Sequence, residues 1–123
     1  MIFARKGNGL SICGGSIISK NIILTAAHCV WGATDILIEM GHSNTTSEKT
    51  VLNIVKSMLI HPEYEDRSKT KNHDIALLRM HEEITFNNAI QPIAISKKEV
   101  QDSFEPFLVY PQGYIISHLM LEL

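Results

Sequence analysis

Positive charge is scarce in this sequence. Its 123 residues contain 11 Lys and Arg against 13 Asp and Glu, which gives a formal charge of -2 at pH 7. A chain with this balance has no broad positive field with which to hold nucleic acid or an anionic membrane. We therefore expect neither nucleic acid nor a membrane among its partners.

Long apolar runs and targeting segments are lacking too. No run reaches the roughly 18 to 20 apolar residues that span a bilayer, because Lys20, Lys56 and Arg79 interrupt the longest candidates. The first residues do not contain the apolar core of about 7 to 15 residues that a secretory signal needs. We find no internal repeat, low-complexity tract or linker. With 45% hydrophobic and 20% charged residues, the composition is typical of one globular domain.

Cysteine is a further scarcity, since only Cys13 and Cys29 are present. Two cysteines are compatible with one disulfide that closes a short loop, and equally with two buried thiols. The number of cysteines does not decide between these two states.

The sequence does contain a series of short apolar runs, separated by Gly, Asn, Ser and charged clusters, and this pattern favours β structure. Within residues 35–40, three apolar side chains alternate with Leu37 and Glu39, which predicts a strand with one buried face. The predicted strands cover residues 1–4, 10–18, 22–25, 35–40, 51–60 and 75–78, and residues 90–95 read as an edge strand or an extended connection. Such a series predicts an all-β barrel or sandwich.

Two segments interrupt the β pattern. Residues 63–72 are polar and follow no helical or strand period, so they predict a surface loop. Residues 26–30 follow Thr25, whose hydroxyl is a candidate cap for a short helical turn. We therefore look for chemistry first at this turn.

Four segments of the chain lie in the order and at the spacing of a known protein family. Residues 13–18 read Cys-Gly-Gly-Ser-Ile-Ile, and residues 24–29 read Leu-Thr-Ala-Ala-His-Cys. Downstream, residues 60–64 read Ile-His-Pro-Glu-Tyr, and residues 72–78 read Asn-His-Asp-Ile-Ala-Leu-Leu. Over roughly residues 1–96 the chain resembles the chymotrypsin/trypsin family of serine endopeptidases, the peptidase S1 type.

The resemblance implies a fold and a domain organisation. Residues 1–103 would form the first six-stranded antiparallel β-barrel of the two-barrel trypsin-like fold, and the second barrel is missing from this sequence. Residues 104–123 would be a divergent tail, because the Trp-Gly landmark that the family carries after its first barrel does not appear there.

The resemblance also implies the roles of two residues. His28 would be the general base of a His-Asp-Ser triad, and Asp74 the carboxylate that holds its imidazole. Outside such motifs, a histidine in an apolar segment is more often structural, and an Asp before a strand is often a turn or capping residue. The flanking Thr-Ala-Ala and Ile-Ala-Leu-Leu residues favour the catalytic interpretation. His73 is expected to be an exposed loop residue without a catalytic role.

Cys13 and Cys29 fall where the family places a disulfide beside its histidine. Such a crosslink would stabilise the fold by about 3 kcal/mol in the loop-entropy model, and it implies an oxidising, extracellular compartment. The alternative, a Cys29 nucleophile paired with His28, is disfavoured because adjacent side chains on a helical turn diverge by about 100°. Asn44 begins an N-glycosylation sequon, which agrees with secretion, although such triplets also arise by chance.

No cofactor is indicated. The loop that carries acidic calcium ligands in some members of the family, residues 41–50 here, has only Glu48. The histidines have no spacing that indicates a metal site, so we expect these four to be solvated: His42, His61, His73 and His81. No glycine-rich nucleotide loop occurs. We therefore expect neither a metal nor an organic cofactor.

The family's nucleophile is absent from these residues. It lies in a Gly-Asp-Ser-Gly-Gly motif that the sequence does not contain. Ser16 belongs to the strand of the histidine motif, and Ser117 lacks the glycine amides that would form an oxyanion hole. The sequence thus predicts a serine-type endopeptidase by family, here a truncated chain that is inactive alone because the members of a triad act as a unit.

Two alternatives to this prediction stay open. The chain would be a non-catalytic protein-binding module if the surface that normally packs on the second barrel recruits another protein. A separate chain that supplies the missing half is the other alternative. The substrate of the parent family is a polypeptide, but the residues that would set the cleavage specificity are not in this sequence.

Overall fold

The computed structural model describes residues 1–41, 49–66 and 72–95. Asn44, His42, Ser117 and the predicted tail at 104–123 lie outside the described residues. Within the described ranges the chain forms strands and a single helical turn. They are β1 (Ile2–Lys6), β2 (Gly9–Cys13), β3 (Ser16–Ile17), β4 (Ile22–Thr25), α1 (Ala27–Val30), β5 (Asp35–Met40), β6 (Val51–Ile60) and β7 (Ala76–Met80).

All of these strands belong to one antiparallel sheet, in the order β2-β1-β5-β6-β7-β4-β3. β2 and β3 lie at its two opposite edges, yet only Gly14 and Gly15 separate them along the chain. The three Cα steps from Cys13 to Ser16 reach at most about 11 Å. The sheet therefore curls until its two edges lie close together, which gives a half-barrel wound from a single sheet.

The all-β, antiparallel prediction is confirmed, and one predicted strand is divided. The run 10–18 stops at Gly14 and resumes at Ser16, so the sheet has seven strands among the described residues. The reason is the change of partner, since the chain pairs with β1 up to Cys13 and with β4 from Ser16. Glycine fits the crossing because a Cβ atom at residue 15 would lie 2.7 Å from Cδ1 of Ile2 and 3.0 Å from the carbonyl oxygen of Leu24. The chain crosses from one sheet edge to the other at this point, directly over the core.

Residues 90–95 form the extended connection rather than an edge strand. The Ile93 N–H donates to the carbonyl oxygen of Ile17 in β3 at 2.8 Å, so the connection partly covers that edge. Ile90 is buried in the core.

The core lies inside the curl of the sheet. In β5 the even-numbered residues are buried, and Leu37 faces outward, as the alternation of the sequence predicts. The largest fully buried side chains are Ile2, Thr25, Val30, Ile75, Leu78 and Ile90. The only helix in the described part of the chain is α1, and no helix there has the length and apolar character that crossing a membrane requires.

Candidate functional site

The helical turn α1 follows β4 directly and presents His28 to solvent. Its turn is closed by two backbone hydrogen bonds, from Cys29 N–H to the Ala26 oxygen at 3.2 Å and from Trp31 N–H to the Ala27 oxygen at 2.8 Å. Ala27, Cys29 and Val30 point into the core, whereas the His28 side chain is 62% exposed. Burial of its three neighbours thus fixes the turn and leaves the imidazole accessible.

Thr25 does not cap this turn, contrary to the prediction. The N-cap residue is Ala26, which makes no side-chain cap, and the buried Thr25 hydroxyl donates to the carbonyl oxygen of Gly14 at 2.9 Å. Gly14 lies between β2 and β3, where the chain pairs with no strand. Its carbonyl therefore needs a hydrogen-bond donor from elsewhere, and Thr25 supplies it. Thr25 therefore ties the start of α1 to the crossing of the two sheet edges.

The pairing of β4 with β7 brings Asp74 to His28. Thr25 pairs with Ala76, and paired positions run in opposite directions along antiparallel strands. This pair ends the ladder, so α1 begins two residues after Thr25, and Asp74 stands two residues before Ala76. The register of these strands thus brings together two residues that are 46 positions apart in the sequence.

Asp74 uses both carboxylate oxygens on His28. The backbone N–H of His28 donates to Oδ1 at 2.7 Å, and Nδ1 of the ring lies 2.7 Å from Oδ2. A carboxylate only accepts, so the ring contact places a proton on Nδ1 and leaves Nε2 as the basic nitrogen of the neutral imidazole. The Asp74 side chain is only 16% exposed. This arrangement can take up a proton at Nε2 and stabilise the imidazolium that results.

Cys13 and Cys29 form a disulfide, with their Cα atoms 6.1 Å apart, which joins β2 to α1. Neither cysteine is a thiol, so the Cys29 nucleophile that we disfavoured above is excluded. Cys13, His28 and Cys29 also lie close enough to hold a metal ion, but disulfide sulfurs are not thiolate ligands. Sγ of Cys29 lies 3.6 Å from Nε2 of His28, so the two adjacent side chains meet instead of diverging as expected, and the crosslink packs against the ring.

Lys6 supports the same turn from the other side. Its Nζ donates to the backbone carbonyl oxygen of His28 at 2.6 Å. The sequence does not predict this contact, because no local pattern indicates that the hairpin of β1 and β2 reaches α1.

Tyr64 lies beside the site and is buried. Its ring meets the ring of Trp31 edge-on, with the centroids 5.3 Å apart. Burial raises the pKa of the Tyr64 phenol above its ordinary 10.0, and the charges of Asp74 and Asp66 raise this pKa further. The phenol therefore stays neutral next to the carboxylate that holds His28.

Two of the histidines that we expected to be solvated are stacked on each other. The rings of His61 and His73 lie 4.7 Å apart at an angle of 17°, and both residues are half-buried. His73 is therefore not the exposed loop residue of the prediction, whereas His81 is exposed as expected. Without a known strand register, nothing in the sequence indicates that residues 61 and 73 meet.

A family model described as Trypsin matches residues 1–106. In Drosophila melanogaster, Inactive serine protease scarface is 35% identical over 109 residues, which cover 84% of this chain and 16% of that protein. Serine protease 7 of the same organism is 36% identical, covering 74% and 27%. Venom serine protease 34 of Apis mellifera is 36% identical, covering 76% and 25%.

A solved structure named "Structure of GrC" superimposes on this chain with a TM-score of 0.69 at 23% identity. The match covers 81% of this chain and 44% of the other. At this identity it supports the fold alone. The chain spans between 16% and 27% of the length of the three curated relatives.

Proposed function

The chain belongs to the trypsin family of serine proteases, and on that premise we propose that His28 is the general base and Asp74 its orienting carboxylate in peptide-bond hydrolysis by a serine-type endopeptidase. The 2.7 Å contact between Nδ1 of His28 and Oδ2 of Asp74 carries this proposal. It fixes the imidazole tautomer that such a base requires.

Each of the two residues has a defined part in the proposed reaction. Nε2 of His28 takes the proton from a serine hydroxyl as this hydroxyl attacks the peptide carbonyl, and later gives that proton to the leaving amine. Asp74 orients the ring through Nδ1 and stabilises the imidazolium. The exposure of the His28 ring supports this role, because the serine and the substrate must approach Nε2 from outside the barrel.

These 123 residues do not form a complete catalyst on their own in this proposal. They contain no Gly-Asp-Ser-Gly-Gly motif, and His28 and Asp74 without a nucleophile and an oxyanion hole stabilise no tetrahedral intermediate. We assign residues 1–103 to the barrel and residues 104–123 to a divergent tail. The chain alone should hydrolyse a peptide ester no faster than its denatured control, and saturable hydrolysis that His28→Ala abolishes would contradict this.

A hybrid enzyme tests the roles of the two residues. Residues 1–103 would replace the matching half of an active trypsin-family protease. We expect the hybrid to hydrolyse peptide esters, His28→Ala to lower its kcat by roughly 10⁴- to 10⁶-fold, and Asp74→Asn to lower it by about 10⁴-fold. His81→Gln is the matched control, because His81 is exposed and should leave kcat unchanged. Full activity in the His28→Ala hybrid would refute the assignment.

Proton NMR of the 123-residue chain gives a test that needs no second half. A short hydrogen bond to a carboxylate moves the Nδ1 proton of His28 far downfield. Asp74→Asn keeps the size of the side chain and removes its charge, so this resonance should shift upfield or vanish. An unchanged resonance would mean that the pair does not hold the tautomer on which the base depends.

A second candidate function is a non-catalytic protein-binding module. One relative is named an inactive serine protease, and the outer surface here carries exposed apolar side chains. A groove of about 610 Å³ lies on that surface, and neither His28 nor Asp74 lines it. Its apolar lining includes Phe3, Leu10, Leu37, Ile54 and Met58. Sedimentation of the chain and of Ile54→Lys measures the association state. If both are monomers at every concentration, this result would count against this function.

We also propose an extracellular location and a polypeptide substrate. The disulfide supports an oxidising compartment, because such bonds persist mainly outside the cytosol. One relative is named a venom serine protease, which agrees with that location. Mass spectrometry of the native protein without a reducing agent would detect the Cys13–Cys29 crosslink, and two free thiols would argue against it.

A further inference from the structure

A second group of side chains with metal-binding atoms lies next to the pair formed by His28 and Asp74. His61 and Glu63 follow the end of β6, and His73 stands just before Asp74. The backbone N–H of His61 donates to the carbonyl oxygen of Ile75 at 3.0 Å, which continues the pairing of β6 with β7. The two ends of the connection between these strands are thereby held together.

The donor atoms of this group converge. Nε2 of His73 lies 3.7 Å from Oε2 of Glu63, and the rings of His61 and His73 are stacked. One donor atom from each of the three residues lies within 4.8 Å of the other two. Two half-buried imidazoles and one exposed carboxylate thus surround a point that solvent reaches from the Glu63 side.

We propose that His61, Glu63 and His73 bind a divalent transition-metal ion of the zinc type. Two imidazole nitrogens and one carboxylate oxygen form a common zinc donor set, which leaves a fourth position for water. Donors at about 2.1 Å from a tetrahedral ion lie about 3.4 Å apart. The His73–Glu63 distance of 3.7 Å is already close to this value, and the third donor lies within 4.8 Å. Because the His61 and His73 rings are stacked at 17°, one of them must also rotate before both nitrogens point at the ion.

The local structure permits this adjustment. The Glu63 N–H donates to Nδ1 of His61 at 3.1 Å, and this amide can turn to water when the His61 ring rotates or gives that nitrogen to the ion, because Glu63 is exposed. His73 has a left-handed backbone with φ of 56°, and its carbonyl oxygen accepts from the Ile75 N–H at 2.8 Å. The backbone of His73 is therefore fixed, so most of the adjustment falls on the His61 and Glu63 side chains.

This site goes beyond the proposed catalysis and does not depend on it. A bound ion would tie the two ends of the connection from β6 to β7 and would hold the backbone that leads into Asp74. From the sequence we expected His61 and His73 to be solvated. The sequence did not indicate this metal site, because the approach of the two residues depends on the register of two strands.

Calorimetric titration of the metal-free 123-residue chain with zinc chloride tests the proposal. We expect one ion per chain with a Kd in the micromolar range or below. Cobalt chloride should give the strong visible absorption of a tetrahedral site, and magnesium chloride should give no heat, because Mg²⁺ prefers six oxygen ligands.

Variants show whether these three residues are the ligands. His73→Asn should raise the Kd for zinc by about tenfold or more, because substitution even of residues that only hydrogen-bond to metal ligands weakens metal binding by about tenfold. Asn is chosen because it tolerates a left-handed backbone. Glu63→Gln should weaken binding less, and His81→Gln should leave the Kd unchanged.

Three results would overturn the site: no saturable binding of zinc by the unaltered chain, an unchanged Kd in His73→Asn, or an equal loss in His81→Gln. Circular dichroism of each metal-free variant shows whether the fold is kept. If His73→Asn does not fold, His61→Gln takes its place with the same expected tenfold loss, so that an unchanged Kd in that variant would count equally against the site.

Discussion

The inner and outer faces of the curled sheet carry similar apolar side chains but differ in what covers them. Leu78 in β7 points inward and is fully buried, whereas Leu59 in the neighbouring β6 is 65% exposed. Both leucines lie in the same pair of strands, β6 and β7. Residue type therefore predicts that a segment is a strand in this molecule, but not whether a given apolar side chain is in the core.

β6 shows the difference most clearly. Leu52 and Ile54 are exposed, while the polar Asn53 between them is buried. Asn53 is satisfied there because its Nδ2 donates to the carbonyl oxygen of Glu82 at 2.9 Å and its Oδ1 accepts from the Ile54 N–H at 2.8 Å. The outer face of β6 thus exposes apolar side chains that another surface can cover, whereas a polar side chain is buried on its inner face.

Truncating one leucine on each face should sharpen this comparison and give the largest effect. Leu78→Ala should lower the free energy of unfolding by about 2 to 5 kcal/mol, because it removes buried methyl groups and leaves a cavity. Leu59→Ala should change that free energy by less than about 0.5 kcal/mol, because the side chain is mostly in water. Urea unfolding followed by circular dichroism measures both.

Similar losses in the two leucine variants would break the comparison. They would show that the outer face is covered in solution, for example by self-association of the chain. Repeating the unfolding at several protein concentrations separates these cases, because the stability of an associated form rises with concentration.

The two adjacent glycines at the crossing of the sheet edges provide the next contrast. Gly15→Ala should cost about 1 to 3 kcal/mol, because the new Cβ would lie 3.0 Å from the Leu24 carbonyl oxygen, a backbone atom that moves little. Gly14→Ala meets nothing within 4 Å and should stay within about 0.5 kcal/mol of the original protein. Chemical unfolding of the two variants under identical conditions checks this, and equal stability would mean that the inner face is not closed at Gly15.

Much of this architecture could be predicted from local sequence. The alternation at 35–40 and the apolar runs at 51–60 and 75–78 predicted β5, β6 and β7, because side-chain periodicity is a local property. The motif around His28 and the one around Asp74 predicted which residues to examine, and the strand register then brought them together.

The features that the sequence did not predict depend on contacts between distant segments. The division of the run 10–18 depends on its two halves pairing with different strands, β1 and β4. The bond from Thr25 to the Gly14 carbonyl requires the same crossing, and the stacking of His61 on His73 requires the pairing of β6 with β7. No window of neighbouring residues contains this information, because register is set by the whole sheet.

Tyr64 is buried in the core against the partly exposed Trp31 and should give the smallest effect. Its pKa is raised in the folded state, so the neutral phenol contributes stability that is complete below the ordinary pKa of 10.0 and is lost as pH rises through the folded value. Tyr64→Phe keeps the ring against Trp31 and removes this titration. The difference in unfolding free energy between the two proteins should therefore stay constant from pH 7 to about pH 9 and then shift in favour of the variant above pH 10. A difference that stays constant up to pH 11 would mean that the phenol titrates equally in the folded and unfolded states, so that Tyr64 would belong with the exposed side chains and not with the core.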